Sequence, residues 1–281
     1  MHPKYKEAVD LHRTGQIKKA KDICLEILEV EPKNFDILHL LGIISFKLKD
    51  YKNSANLIAK AITINPKSAE AYNNQSLVLK KLNKLEEAIE SLNQAIKIKP
   101  DFIQAYNSRG HLLVELNQLD AALESFNKAV KINPNFAEAY NEQGNALNEL
   151  KQLNMALKSY DNAIKINPNF SNAYYNKAVV LHELKNIELA IENYDHSIKN
   201  NPKHIHYHNN KGFALQQLKK FNESLNSYNN AYKINSNFNF LLGKIFHVKN
   251  LMCDWKSFDE FLNKIKKKIN HNVAATLPFN T

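Results

Sequence analysis

Residues 137–170 read AEAYNEQGNALNELKQLNMALKSYDNAIKINPNF, and this 34-residue stretch decides the fold. It carries aromatic residues at Tyr140 and Tyr160, a small residue at Gly144, and a proline, Pro168, third from its end. Six of the eight prolines recur at this same spacing of 34 residues: Pro32, Pro66, Pro100, Pro134, Pro168 and Pro202. Such a fixed period is typical of a chain built from tandem structural repeats.

The prolines set the bounds of the repeats when each is taken as position 32 of its unit. Seven tandem units follow: 1–34, 35–68, 69–102, 103–136, 137–170, 171–204 and 205–238. Residues 239–281 then hold a partial eighth repeat and a capping or junction segment of helices. Because each unit would pack only on its neighbours, length does not set the number of domains here.

Within each unit the pattern of small and large residues predicts two packed helices. Positions 4, 8 and 11 share one face of the first helix, and positions 17, 20, 21, 24 and 28 share one face of the second. Position 8 is small throughout, as in Gly110 and Gly144, while position 24 becomes aromatic, as in Phe126 and Tyr160. Small residues let the two helices approach, and proline ends the second helix. The expected fold is all-α, a right-handed superhelical solenoid.

A 34-residue helix-turn-helix with small residues at positions 8, 20 and 27 and proline at 32 resembles the tetratricopeptide repeat. The resemblance covers residues 1 to about 238. It implies a module that binds proteins or peptides in extended conformation, with the first helix of each unit lining a concave groove. A homo-oligomer is a further possibility that the sequence leaves open.

The predicted groove is rich in asparagine. On a helical wheel, positions 2, 5, 6, 9, 12 and 13 lie opposite the core face of the first helix. The candidate binding residues at these positions are Asn73, Asn74, Asn107, Asn141, Asn145, Asn148, Asn172, Asn176, Asn209 and Asn210. A carboxamide both donates and accepts hydrogen bonds, so a row of them can hold a peptide backbone. The competing interpretation is an ordinary polar surface in an asparagine-rich chain.

The C-terminal segment gives a second resemblance. Cys253-Asp254-Trp255 stands at positions 15 to 17 of the partial repeat, and residues 258–269 have the spacing of an amphipathic capping helix. The triplet and the asparagines resemble the repeat region and junction of O-linked N-acetylglucosaminyltransferases. This resemblance implies a substrate-recruiting arm of a protein O-GlcNAc transferase-like glycosyltransferase, the catalytic region of which would follow residue 281. The alternative is a free-standing scaffold or adaptor.

Composition and charge argue against nucleic-acid binding and membrane insertion. The formal net charge is +10, but the lysines are scattered, whereas a nucleic-acid surface clusters them, so nucleic acid is not the expected partner. No apolar run suits a membrane span or a signal peptide, and the expected compartment is the cytoplasm.

The sequence predicts neither catalysis nor a bound metal for these residues. The six glycines lie in repeat-like units and form no phosphate-binding loop, and no nucleophile and base can be assembled. His204, His206 and His208 diverge on the wheel, so no metal and no other cofactor is expected. Cys24 is predicted to be buried in the core, and Cys253 is predicted to be buried beside Trp255.

Overall fold

The computed structural model describes residues 4–238 and 240–254, together with Asp259, Leu262, Asn263 and Lys266. Fifteen α-helices and no strands are present in this described part: α1 (Tyr5–Arg13), α2 (Ile17–Val30), α3 (Phe35–Lys47), α4 (Tyr51–Ile64), α5 (Ala69–Lys81), α6 (Leu85–Ile98), α7 (Ile103–Glu115), α8 (Leu119–Ile132), α9 (Ala137–Glu149), α10 (Leu153–Ile166), α11 (Ser171–Glu183), α12 (Ile187–Asn200), α13 (Ile205–Gln217), α14 (Phe221–Ile234) and α15 (Leu241–Leu251). The predicted all-α class of tandem helix pairs is confirmed.

The chain divides into two compact units, Met1–Asn135 and Phe136–Thr281, here called the N-terminal and C-terminal units. In each unit the two helices of a pair pack on one another, and the second helix of a pair contacts the first helix of the next. First helices of successive pairs also touch within a unit, as α3 touches α5 and α9 touches α11. Stability thus comes from stacked neighbours, because helices of this length are marginal alone.

Each pair is joined by a turn whose residue at position 15 has a positive φ. Except for Gly15, these residues are not glycine: Lys49, Asn83, Asn117, Lys151, Lys185 and Lys219. The amide of position 16 then donates to the carbonyl of position 11, as Asp50 donates to Ser45 at 2.9 Å. This closes the first helix and lets the second start antiparallel to it. The second helix ends two residues before the proline, because the residue preceding proline disfavours helical geometry.

Close helix approach within a pair depends on the small residue at position 8. In the C-terminal unit, Gly144 lies under the ring of Tyr160, and a Cβ added to it would sit 2.5 Å from Cε1 of that ring. In other pairs a serine at position 20 adds a hydrogen bond across the contact, as Ser54 Oγ donates to the Gly42 carbonyl at 2.8 Å. The small residues at position 20 are all fully buried: Ala20, Ser54, Ala88, Ala122, Ala156, Ala190 and Ser224.

The tyrosines at position 4 face the interior, as expected when each proline is taken as position 32 of its repeat. Tyr106 is buried, and Tyr72, Tyr140 and Tyr174 are half-buried. The core positions assigned from the sequence therefore lie inside the helix pairs.

The partial eighth repeat begins with α15, which packs on α14 and covers the last pair. Its residues Leu241, Ile245 and Val248 are buried in one cluster with Tyr228 of α14. The turn after α15 repeats the pattern of the other units, since Cys253 has φ 52° and Asp254 N donates to the Lys249 carbonyl at 3.0 Å.

The prediction that Cys253 is buried is wrong, because at position 15 it occupies an exposed turn. Trp255, Leu277-Pro278-Phe279 and most of the predicted capping helix lie outside the described residues. Four residues of that predicted helix are described, and all four are helical: Asp259, Leu262, Asn263 and Lys266.

Candidate functional site

From residue 69 on, positions 2, 6, 9 and 13 of the first helices are exposed or half-buried. We call these side chains the first-helix surface. They are left open because the partner helix covers positions 4, 8 and 11 instead. The second helix of the preceding pair covers positions 3 and 10, as Ala105 and Leu112 of α7 cluster with Leu92 of α6.

The asparagines of the C-terminal unit are bonded to one another across repeats. Asn176 Nδ2 donates to Asn141 Oδ1 at 3.0 Å and to Asn145 Oδ1 at 2.9 Å. Asn145 Oδ1 also accepts from the Tyr160 hydroxyl at 2.9 Å. These carboxamides therefore hold α9 and α11 in register, and part of their hydrogen-bonding capacity is already used.

The expectation that Asn141 and Asn209 face an open groove is wrong, because both side chains are buried. The wheel placed position 5 opposite the core of its own pair. Successive first helices touch within each unit, so position 5 is covered by the neighbouring repeat. Asn209 Oδ1 accepts from the Lys244 ammonium of α15 at 2.9 Å.

The other predicted asparagines differ in environment. Asn172 is exposed, and its Oδ1 accepts from the Tyr207 hydroxyl at 2.6 Å. Asn74 Nδ2 lies 2.9 Å from His39 Nε2, and burial lowers the pKa of His39, which favours the neutral imidazole that can accept this bond. Within the described residues, three buried carboxamide oxygens have no hydrogen-bond partner: those of Asn73, Asn107 and Asn148.

A cleft of about 330 Å³ opens between α5 and α7 in the N-terminal unit. Its lining includes Leu77, Lys80, Ser108 and His111. Leu77, at position 9, leaves 40% of its surface exposed. Lys80 Nζ lies 2.7 Å from a carboxylate oxygen of Glu115. The positive charge of Lys80 at the rim of this cleft is therefore balanced by the negative charge of Glu115.

A second cleft of about 330 Å³ lies among α13, α14 and α15 in the C-terminal unit. It combines the carboxamides of Asn209 and Asn210 with the rings of Phe213 and Tyr228 and the ammonium of Lys244. Phe213 is 44% exposed and stands at position 9, as Leu77 does.

The sequence prediction missed these apolar residues. It counted only the asparagine at position 9, although this position is apolar in five of the seven units.

No helix of the described part has the length and apolarity needed to cross a bilayer. The same residues contain no cluster of three or more His, Cys, Asp or Glu side chains arranged for a metal ion. His208 Nε2 lies 2.9 Å from the Pro202 carbonyl, and His204 stacks on Tyr207 with ring centroids 4.0 Å apart. These histidines thus serve local packing.

Comparison with solved structures returns helical-repeat proteins of low sequence identity. The C-terminal part of a TPR repeat-containing protein from Cytophaga hutchinsonii has a TM-score of 0.70 at 13% identity, covering 86% of this chain and 99% of that one. PilF from Pseudomonas aeruginosa gives a TM-score of 0.63 at 18% identity, covering 72% and 92%. YrrB, described as a TPR protein with an unusual peptide-binding site, gives 0.56 at 22% identity, covering 70% and 99%. At these identities the likeness shows the fold alone.

Family models match most of the array, whereas a comparison with curated proteins gives no significant match. Models described as TPR repeat or tetratricopeptide repeat match residues 35–68, 57–90, 76–116, 110–150, 144–185, 171–204 and 205–238. Together these matches run without a gap from residue 35 to residue 238. The chain belongs to the tetratricopeptide-repeat family.

Proposed function

We propose that this protein is an interaction scaffold whose first-helix surface binds extended peptide segments of other proteins. The observation that carries the proposal is the pair of exposed apolar side chains at position 9, Leu77 and Phe213, each beside a cleft of about 330 Å³. Exposed apolar groups rimmed by polar ones mark interaction sites, and a cleft of this volume accepts one or two side chains.

The half-buried carboxamides beside the clefts supply the polar part of recognition. Asn210 Nδ2 donates to the Tyr175 hydroxyl at 3.0 Å, so its side chain is held in place before a ligand arrives. A carboxamide fixed in this way binds a peptide group with little loss of side-chain entropy. The apolar residues give affinity in this account, and the asparagines orient the backbone of the ligand.

The proposal is tested by selecting peptides from a random 12-residue library displayed on phage against the full chain. The affinity of the enriched peptides is then measured by calorimetry. Leu77→Asp and Phe213→Asp place a charge in each cleft, and at least one should weaken an enriched peptide about tenfold or more.

Met155→Asp and Leu189→Asp are matched controls in the second helices α10 and α12, where these residues are 53% and 50% exposed. They should leave the affinity unchanged. If no peptide is enriched, or if the control substitutions weaken binding as much as the cleft substitutions do, the first-helix surface is not the binding site.

The narrower role of a glycosyltransferase arm has less support. Cys253 and Asp254 occupy the turn that positions 15 and 16 form in every unit, so the repeat itself accounts for two of the three junction residues. The remaining support is the asparagine content of the first helices. A catalytic domain encoded after residue 281 would favour this role over a free-standing scaffold.

A further inference from the structure

Nearly all of the net charge of the chain lies in one part of the repeat, positions 26–33, where the second helix ends and the turn to the next repeat follows. In the six units from residue 35 on, this part holds ten lysines and one aspartate, a net charge of +9. The whole chain has a formal net charge of +10, so the remaining residues are close to neutral. The lysines are scattered along the sequence, but the repeat brings them to equivalent places in the fold.

In the C-terminal unit these segments come together at one edge. There α10 packs on α11, α12 on α13 and α14 on α15. Because every pair repeats the same geometry, the ends of α10, α12 and α14 lie side by side. We call the edge formed by residues 162–169, 196–203 and 230–237 the basic edge. It has no Asp or Glu and carries four lysines: Lys165, Lys199, Lys203 and Lys233.

The four lysines of the basic edge are all exposed. None of them pairs with a carboxylate in the part of the chain that the structure describes, whereas Lys177 and Lys211 of the same unit pair with Asp161 and Asp195. The positive charge of the basic edge is therefore open to a ligand from solution.

The helix dipole explains only part of this charge. Lys165, Lys199 and Lys233 lie in the last turns of their helices, where a cation is favoured. The same edge holds the N-termini of α11, α13 and α15, where the dipole favours Asp or Glu, yet the first turns of these helices have none. The dipole thus accounts for the lysines at the helix ends and not for the absence of acids beside them.

Two further features of the basic edge suit a nucleic acid. The first backbone N–H groups of α11 and α13 receive no side-chain cap, whereas Asn34 and Ser68 cap α3 and α5. Free N–H groups at a helix start can donate to phosphate oxygens. The exposed ring of His206, in the first turn of α13, packs edge-on against Phe238 with ring centroids 5.1 Å apart. An exposed ring held in this way can stack on a base.

We propose that the basic edge binds single-stranded nucleic acid through its phosphate backbone, with a base stacked on His206. This function goes beyond peptide binding, and the residues involved line neither cleft. Nucleic acid is favoured over an acidic protein because lysine is depleted at protein interfaces and surfaces that bind nucleic acid are much more positive. It is favoured over a lipid surface because Ile234 is the one large apolar side chain that the basic edge exposes, and membrane binding buries an apolar face.

The proposal is tested by fluorescence anisotropy of a labelled oligothymidylate of about 20 nucleotides, titrated with the full chain from about 50 to about 200 mM salt. Each phosphate contact contributes about −0.7 to the slope of log K against log salt for a single strand. Replacing Lys165, Lys199 and Lys233 together with glutamine should weaken binding about tenfold or more at the lower salt concentration. It should also make the slope less negative by about two.

The matched control replaces Lys158, Lys185 and Lys220 with glutamine. These lysines are exposed in the same unit but lie outside the basic edge, so the same charge is lost at a different place. The control should leave the slope nearly unchanged. Both triple variants should keep the affinity of a library-selected peptide that depends on Phe213, which separates failure of this inference from failure of the proposed function.

His206→Ala tests the stacking contact. It should weaken binding of the oligothymidylate about fivefold or more and leave binding of an abasic oligomer of the same length unchanged. An equal effect on both oligomers would show that no base stacks on this ring.

Two results would overturn the inference as a whole: no saturable binding of the oligothymidylate at the lower salt concentration, or equal losses in the edge and control variants. Phosphatidylserine vesicles and polyglutamate are titrated in parallel. If either binds through the three edge lysines more tightly than the oligothymidylate does, the basic edge is a lipid or acidic-protein site and the nucleic-acid assignment is rejected.

Discussion

At the scale of single residues, the contact between positions 8 and 24 sets how closely the two helices of a pair approach. Gly110 faces Phe126, Gly144 faces Tyr160, and each contact leaves no room for a Cβ without a shift of the ring. Ala178 faces Tyr194 at the same positions, so a ring can make room for one methyl group in that pair. A larger side chain requires the helices to separate.

Gly144→Leu should therefore destabilise the fold by about 1–3 kcal/mol through overpacking against Tyr160. Ala121→Leu is the control, because Ala121 is exposed at position 19, where Met155 and Leu189 occur naturally. Its effect should be within about 0.5 kcal/mol. Chemical denaturation measures both, and equal stability of the two variants would contradict the assigned packing.

The two cysteines should differ sharply in reactivity. Cys24 is fully buried, and burial raises its pKa to about 11, so at pH 8 it is a protonated thiol shielded from solvent. Cys253 lies in an exposed turn. Because the thiolate is the reactive form, a disulfide reagent at pH 8 should modify one thiol rapidly in the native protein and the second only after unfolding. Rapid modification of both would show that Cys24 is not enclosed by the core.

At the scale of elements, the turn within each helix pair contains a residue with an unfavourable, left-handed backbone conformation. Lys49 adopts φ 64°, a conformation that costs a residue with a Cβ about 1–2 kcal/mol, whereas the first repeat has glycine at this position. The gain from glycine is reduced by the conformational entropy that glycine loses on folding.

Lys49→Gly should thus stabilise the fold by about 0.5–1 kcal/mol. The same change at Lys60, exposed within α4, should destabilise it by about 0.5–1 kcal/mol, because there glycine only weakens a helix. Thermal unfolding of the two variants shows whether each substitution raises or lowers the stability of the fold. A loss of stability in both would mean that the left-handed turn is not strained.

The helix pairs were predictable from the sequence because proline at position 32 and small residues at positions 8 and 20 act locally. Whether position 5 is exposed could not be predicted in the same way. A wheel describes one helix against its partner, and Asn141 and Asn209 are buried by the first helix of the adjacent repeat. The same limit explains the error at Cys253, whose neighbourhood was inferred from the residue beside it and not from the turn that contains it.

At the scale of the whole molecule, the repeat period predicted the array but not its division into two compact units after Asn135. The period also hid the features on which binding depends in our account. Leu77 and Phe213 stand at position 9, which is apolar in five of the seven units, and a search for asparagines passes over them. The prolines and the small residues build the scaffold, and position 9 adds an exposed apolar side chain beside one cleft in each unit.

The most direct test of the central claim is photo-crosslinking of a library-selected peptide to the full chain. Benzoylphenylalanine is placed, one variant at a time, in place of Leu77, Phe213, Met155 or Leu189. The account predicts covalent capture of the peptide at one or both of the first two positions and none at the last two, which lie in the second helices. Capture from Met155 or Leu189, with none from Leu77 or Phe213, would place the ligand on the second helices and contradict the account.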